Sequence, residues 1–150
     1  MTRPIRAIVR RSAFGHNLAV ARTRVPAAKH IAVIKANAYG HGLLRAARAL
    51  SDADGFGVLD VDAAVRLRNA GFQQPILLLE GFFDPGELHV ISRHDVSIVV
   101  HSTEQLRALQ TAALPAPLQI FLKVNTGMNR LGFAPDVAEQ VLRTLRACPA

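Results

Sequence analysis

Residues 31–42 read Ile-Ala-Val-Ile-Lys-Ala-Asn-Ala-Tyr-Gly-His-Gly. An apolar run ends in a lysine, and a glycine-containing stretch leads into 43–50 (LLRAARAL). A short apolar run without polar alternation is the mark of a strand buried on both faces, as in a parallel sheet. In 43–50, Leu43, Ala46, Ala47 and Leu50 share one face and Arg45 and Arg48 another, the period of an amphipathic helix. The unit is strand, loop, helix.

The unit recurs. Further apolar runs occupy 55–60 (GFGVLD), 75–80 (PILLLE), 96–101 (VSIVVH) and 118–124 (LQIFLKV), with successive starts 24, 20, 21 and 22 residues apart. Each interval has room for a loop, a helix and a return. Helices are expected over 61–70, ending at the C-cap residue Gly71, and over about 103–113, capped by Ser102 or Thr103 and stopped before Pro115. Another is expected over 136–147 after Pro135. A helix over about 12–24, with Ser12 as its cap, precedes the first strand, and 5–9 reads as a lone strand without a local partner. Regular alternation with no linker or repeat means an α/β fold with a parallel sheet. Periodicity leaves two architectures open: a doubly wound sheet, complete at about this length, and a (β/α)8 barrel, which takes around 250 residues. In both, chemistry sits at the carboxyl ends of the strands.

The chain has 150 residues, 50% of them hydrophobic, enough for one core. No apolar run approaches the roughly 20 residues of a membrane-crossing helix. Residues 1–11 (MTRPIRAIVRR) lack the apolar core of a signal peptide. A cytoplasmic protein without membrane contact is expected. The single cysteine, Cys148, excludes an intrachain disulfide framework and a cysteine-only zinc site. The net charge of +7 comes from 15 Arg and three Lys, with Arg spread along the chain. Trp is absent and Tyr39 is the only tyrosine, so a nucleic-acid partner, which would want a basic stripe or stacking platform, is not expected. No metal is expected either: neither HxH nor HExxH occurs, and His16, His30, His89 and His94 read as surface positions. His101 ends the fourth strand, and His41 lies in the lysine loop. The phosphate-loop pattern GxxxxGK[ST] and the nucleophile pattern GxSxG are absent.

Two segments carry candidate chemistry. Lys35 stands where an apolar strand opens into the mouth of the sheet. Desolvation there would lower the amine's pKa, and a neutral amine can attack a carbonyl to form a Schiff base. An ordinary lysine snorkelling to water fits the same position. The second segment is Leu-Lys-Val-Asn-Thr-Gly-Met-Asn-Arg-Leu-Gly-Phe, 122–133. Lys123 within an apolar run is costly unless its charge is paired or removed. Arg130, in a Gly-containing loop, either grips a carboxylate in a bidentate fork or lies on a surface loop.

Both segments resemble signatures of the alanine racemase family: Lys-Ala-Asn-Ala-Tyr-Gly-His-Gly, 35–42, and the run 122–133 just quoted. Residues 55–58 (GFGV) and 76–81 (ILLLEG) fit strands between them, and the resemblance runs from about Pro4 to the end. It implies a (β/α)8 barrel of which residues 1–150 are the N-terminal part, with the first five or so βα units. The remainder of the barrel and a β-rich C-terminal domain would be absent, leaving this piece inactive alone. It further implies a pyridoxal 5'-phosphate enzyme interconverting L- and D-alanine for peptidoglycan precursors, working as a homodimer. Lys35 matches the lysine that carries the cofactor and serves as one proton-transfer base. Tyr39 matches the residue bonded to the cofactor phosphate, and Arg130 the arginine near the cofactor's phenolic oxygen and the substrate carboxylate. Lys123 matches a lysine often carbamylated in the family, and that anion would orient Arg130. Asn125 stands where many members have Asp. The second base matches no residue here, since Tyr39 is the only tyrosine and the resemblance assigns it to the phosphate. Alternative readings are another amino-acid racemase or decarboxylase on the same barrel, or a non-catalytic protein of pyridoxal-phosphate homeostasis.

Overall fold

The computed structural model describes residues 4–150. Residues 1–3, part of the N-terminal stretch read above for a signal-peptide core, lie outside them. Five parallel strands form one sheet: β1 (Ile31–Val33), β2 (Gly55–Val58), β3 (Ile76–Leu78), β4 (Val96–Val100) and β5 (Ile120–Leu122). Their order in the sheet is their order in the chain, with registers such as Ala32 beside Phe56 and Ile98 beside Ile120.

That order decides between the two architectures. Crossovers between parallel strands are right-handed, so strands added always on the same side place every connecting helix on the same face. A doubly wound sheet needs a reversal of strand order, which is absent here. The result is a curved βα succession of the barrel type.

The helices are α1 (Arg11–Arg24), α3 (Leu43–Ala49), α4 (Val61–Asn69), α5 (Leu88–Arg93), α6 (Thr103–Thr111) and α7 (Ala138–Arg146); α2 (Lys35–Tyr39) is a single turn described below. Asp60 caps α4 by accepting from Ala63 N at 2.7 Å, and Ser102 caps α6 by accepting from Gln105 N. The core lies between sheet and helices. Phe56, Val58, Ile76, Leu78, Ile98 and Val100 are fully enclosed, packed with Ala46, Leu67, Ile91 and Leu109. The opposite strand face is open at the outer strands, where Val33 and Phe121 are each 42% exposed, and closed at the centre, where Ser97 and Val99 are buried. The apolar runs therefore look uniform, although only one of their faces is sealed by helices within this chain.

Several local expectations need correction. Residues 5–9 form no strand, because the sheet offers them no ladder partner; Ile5 and Ile8 lie exposed. Ser12 does not cap α1: the helix already begins at Arg11, and Arg10 stands at the cap with no side-chain bond. Residues 136–147 start as a 3-10 turn, Pro135–Val137, before α7. Between β3 and β4, a capping box at Asp84 and Glu87 opens a 3-10 turn, Pro85–Glu87, that runs on into the short α5. His30 is not a surface residue. Its side chain is 16% exposed, and its buried Nδ1 has no hydrogen-bond partner. Asp54 takes the His30 backbone N–H at 2.7 Å and a guanidinium hydrogen of Arg22. The backbone bond, with help from Arg22, holds the Asp54 carboxyl below its ordinary pKa. Among the described residues no helix is long and apolar enough to cross a membrane.

Arg68 has its guanidinium engaged by the backbone. From α4 it donates to the carbonyls of Phe72, Gln74, His94 and Asp95 at 2.8–2.9 Å, joining the loops that lead into β3 and β4. Burial lowers its pKa, with Asp95 opposing the shift. This stitch lies at the amino ends of the strands, where a barrel's side chains serve stability rather than chemistry. Arg68→Ala should cost about 2 kcal/mol, the scale of hydrogen bonds from a charged donor, and Arg68→Lys should recover only part because one ammonium cannot reach four carbonyls. Urea unfolding of the three proteins checks this, and equal midpoints would contradict it.

Candidate active site

Lys35 follows β1 directly, and the backbone then turns the uncommon way. Ala36, Asn37, Ala38 and Tyr39 all have φ between 51° and 54°, so α2 is a left-handed turn built without glycine. L-residues pay roughly 1–2 kcal/mol each for that hand. The turn is fixed by main-chain bonds, Ala38 N to Ile34 O at 3.0 Å and Gly40 N to Ala36 O at 3.2 Å. Ala38 is buried, while Tyr39 is 61% exposed.

Arg130 sits on a second closed loop after β5. Asn125 N donates to Phe133 O at 2.8 Å and Phe133 N to Lys123 O at 2.9 Å, pinching the loop at its neck. Inside it, Asn125 Oδ1 accepts from Gly127 N and Asn129 N, each at 3.1 Å. Asn125 Nδ2 donates to Asn129 Oδ1 at 2.9 Å. Gly132, at φ 110°, is obligatory there, because a Cβ would stand 2.9 Å from Asn125 N. Lys123 is half-buried and Arg130 exposed.

Lys35, Lys123 and Arg130 line one cavity of about 350 Å3 at the carboxyl ends of the strands. Its apolar lining includes Leu59, Leu77, Leu79, Val99 and Phe121. Leu79 packs over Gly57, where a Cβ would approach it to 3.3 Å. Among the described residues none of the three cations has an ion-pair partner within 4 Å. Tyr39 is not part of this lining; it stands four residues beyond Lys35 on the exposed side of the turn. A larger hollow, about 480 Å3, lies between α1 and the open edge of β1, but its lining is mostly apolar and gathers no comparable set of charges.

Glu80 also lines the charged cavity. It is the last residue of the run 75–80, and the reasoning that singled out Lys35, a charge where an apolar strand opens, applies equally to it. Its peptide is held firmly. Gln105, 6% exposed, donates through Nε2 to Glu80 O at 2.9 Å and Phe82 O at 3.1 Å, and accepts from His101 N at 2.9 Å. His101 Nε2 donates to the same Glu80 carbonyl at 3.0 Å, which fixes the proton on that nitrogen. Gly81, at φ 69°, has no room for a side chain, since a Cβ would run into Val99 O.

The family model described as "Alanine racemase, N-terminal domain" matches residues 9–150. The chain belongs to that family. Alanine racemase of Nitrosospira multiformis is 53% identical over 150 residues, all of this chain and 42% of that protein. That of Nitrosomonas europaea is 54% identical over 146 residues, 97% of this chain and 40% of that protein. Among solved structures, biosynthetic alanine racemase from Pseudomonas aeruginosa superposes with a TM-score of 0.87 at 40% identity, covering 92% of this chain and 39% of that one. Alanine racemase from Acinetobacter baumannii gives 0.83 at 33% identity, covering 92% and 42%. The chain thus spans about 40% of the length of these relatives. Its five strands are barrel strands of the alanine racemase N-terminal domain.

The left-handed turn makes a local prediction. Glycine at Ala36 removes the wrong-hand strain, roughly 1–2 kcal/mol, and returns part of it as unfolded-chain entropy. Ala36→Gly should therefore leave stability unchanged or raise it by up to about 1 kcal/mol, while Ala19→Gly on the exposed face of right-handed α1 should lower it by about that amount. Thermal melts of both variants give the comparison; a loss at Ala36 as large as at Ala19 contradicts the strain account.

Proposed function

We propose that this chain is the cofactor-holding part of a pyridoxal-phosphate-dependent alanine racemase, which interconverts L- and D-alanine in the cytoplasm for peptidoglycan synthesis. The observation that carries the reading is the convergence of Lys35, Lys123 and Arg130 on one cavity at the carboxyl ends of the strands, in a chain of this family.

The donor set suits the cofactor. Lys35 Nζ is a primary amine able to bond a carbonyl carbon once deprotonated. Tyr39, four residues on, offers an O–H to a phosphate. Three cations against one carboxylate in the lining favour an anionic guest. Leu77, Leu79, Val99 and Phe121 supply an apolar floor for a ring. When bound, pyridoxal phosphate takes up the electron pair left on the α-carbon as its proton departs.

The remaining work falls to side chains. Lys35 Nζ takes the α-proton, or returns it, on one face of the substrate. Arg130 holds the substrate carboxylate in a two-bond fork, which fixes the Cα–H direction towards Lys35. Inversion needs a second proton donor on the opposite face. Tyr39 is assigned to the phosphate, so that donor is taken to be a tyrosine of a partner subunit in a homodimer, with the relatives' further length completing barrel and second domain. Carbamylation would turn Lys123 from a cation into an anion that accepts from Arg130 and aims it. Glu80 supplies a second anion at the same cavity.

In the protein at its relatives' full length, borohydride treatment of the cofactor-loaded form should fix the label on Lys35. A label confined to Lys29 or Lys123 would overturn the assignment. Arg130→Lys should lower kcat/KM for alanine at least about tenfold, because an ammonium cannot reproduce the planar fork. Steady-state kinetics of the variant checks it, and wild-type values would remove Arg130 from the site.

A further inference from the structure

Asn37 lies between Lys35 and Tyr39 and has no role in the reading above. Its position makes two demands. At φ 54° it occupies the middle of the left-handed turn, where asparagine is the L-residue best tolerated. It also ties the turn to the next helix with two acceptors. Its main-chain oxygen accepts from Gly42 N at 2.9 Å, and its side-chain Oδ1 accepts from Leu43 N at 2.8 Å. The residue at the cap of α3 is Gly42, which has no side chain to offer, so Asn37 supplies the missing cap to Leu43 N from six residues before that donor. α3 in turn is anchored in the core through Leu43, Ala46 and Ala47. The chain of constraint runs from the core, through α3, through Asn37, to the turn that separates Lys35 from Tyr39.

From this geometry we infer that Asn37 is a positioning residue: it fixes the distance and direction between the Lys35 amine and the Tyr39 hydroxyl, so that one guest engages both. The inference rests on the proposed pyridoxal-phosphate function and adds to it a residue that touches neither end of the guest. Its physical content is preorganisation. Two anchoring groups on a rigid element bind a two-ended ligand as one event, and loosening the element costs the benefit of the second anchor while leaving the first in place.

A guest with both ends can be compared with a guest lacking one. Pyridoxal has the aldehyde for Lys35 and no phosphate for Tyr39. Apoprotein at the relatives' full length is titrated with pyridoxal phosphate and with pyridoxal, followed by the visible absorbance of the bound form. The quantity read is the ratio of the two dissociation constants. Removing one hydrogen bond and the left-handed tolerance should make Asn37→Ala lose roughly three- to tenfold of the preference for the phosphorylated guest, with pyridoxal binding itself nearly unchanged. In a Tyr39→Phe background the same substitution should change the ratio no further, since the second anchor is already gone.

A merely structural role would weaken both guests by the same factor, or act equally with and without the Tyr39 hydroxyl; either result overturns the inference. Should Asn37→Ala fail to fold, Asn37→Gly takes its place: it accepts the left-handed conformation freely and lacks only Oδ1, and an unchanged ratio there also overturns the inference. Failure of the underlying reading looks different. In that case the wild-type protein shows no preference for the phosphorylated guest and no borohydride-fixed label on Lys35.

Discussion

The handedness of the strand–helix–strand crossover governs this structure. Because each crossover is right-handed and each new strand adds beyond the last, the helices are confined to one face of the sheet. That face becomes the sealed core, where Phe56, Ile76, Ile98 and their neighbours lose all contact with water. The other face curves inward and keeps its side chains for the barrel interior. Every strand points its carboxyl end the same way, so the residues following β1, β3 and β5 meet at one mouth. Lys35, Glu80, Lys123 and Arg130 are about 95 residues apart in the chain at the extremes and yet line one cavity, because parallel strands in sequential order leave them nowhere else to go.

The two ends of the strands divide the labour. At the amino ends, Arg68 satisfies four carbonyls of the loops that enter β3 and β4, and it has no free donor fork to present to a ligand. At the carboxyl ends, the cations have no ion-pair partners among the described residues and the backbone takes strained conformations. Strain of the kind in Ala36–Tyr39 persists only where the surroundings over-determine it. Here the surroundings are the anchored α3 below and the main-chain bonds of the turn itself.

The strands and most helices were legible in the residues because they depend on patterns that survive averaging: apolar runs at regular intervals, an Arg-faced helix, a serine before α6. Lys35 and Lys123 were legible for a related reason, since a charge at the end of an apolar run is conspicuous. The choice of barrel over doubly wound sheet was not legible from periodicity, because strand order is a property of pairing between distant segments. The hand of α2 was hidden as well. Ala-Asn-Ala-Tyr contains no glycine, and local propensity assigns such residues to the right-handed side. The half-burial of Arg68 and His30 was not legible, because burial of a polar residue depends on which loops cross over it. Glu80 was passed over although it follows the same rule as Lys35.

Asn125 shows what an amide does in a loop where the family resemblance implies Asp for many relatives. The two backbone bonds that Asn125 Oδ1 accepts, from Gly127 and Asn129, are ones a carboxylate oxygen would accept equally well. The bond from Nδ2 to Asn129 Oδ1 is one a carboxylate cannot donate, so an Asp would require the Asn129 amide to turn its NH2 inward. The loop geometry therefore tolerates either residue, and the difference lies in charge. An Asp would place an anion within the loop that carries Arg130, competing for its guanidinium. With Asn the loop holds no anion of its own, and among the described residues Glu80 is the carboxylate that lines the cavity with Lys35, Lys123 and Arg130. A mouth left that positive attracts anions.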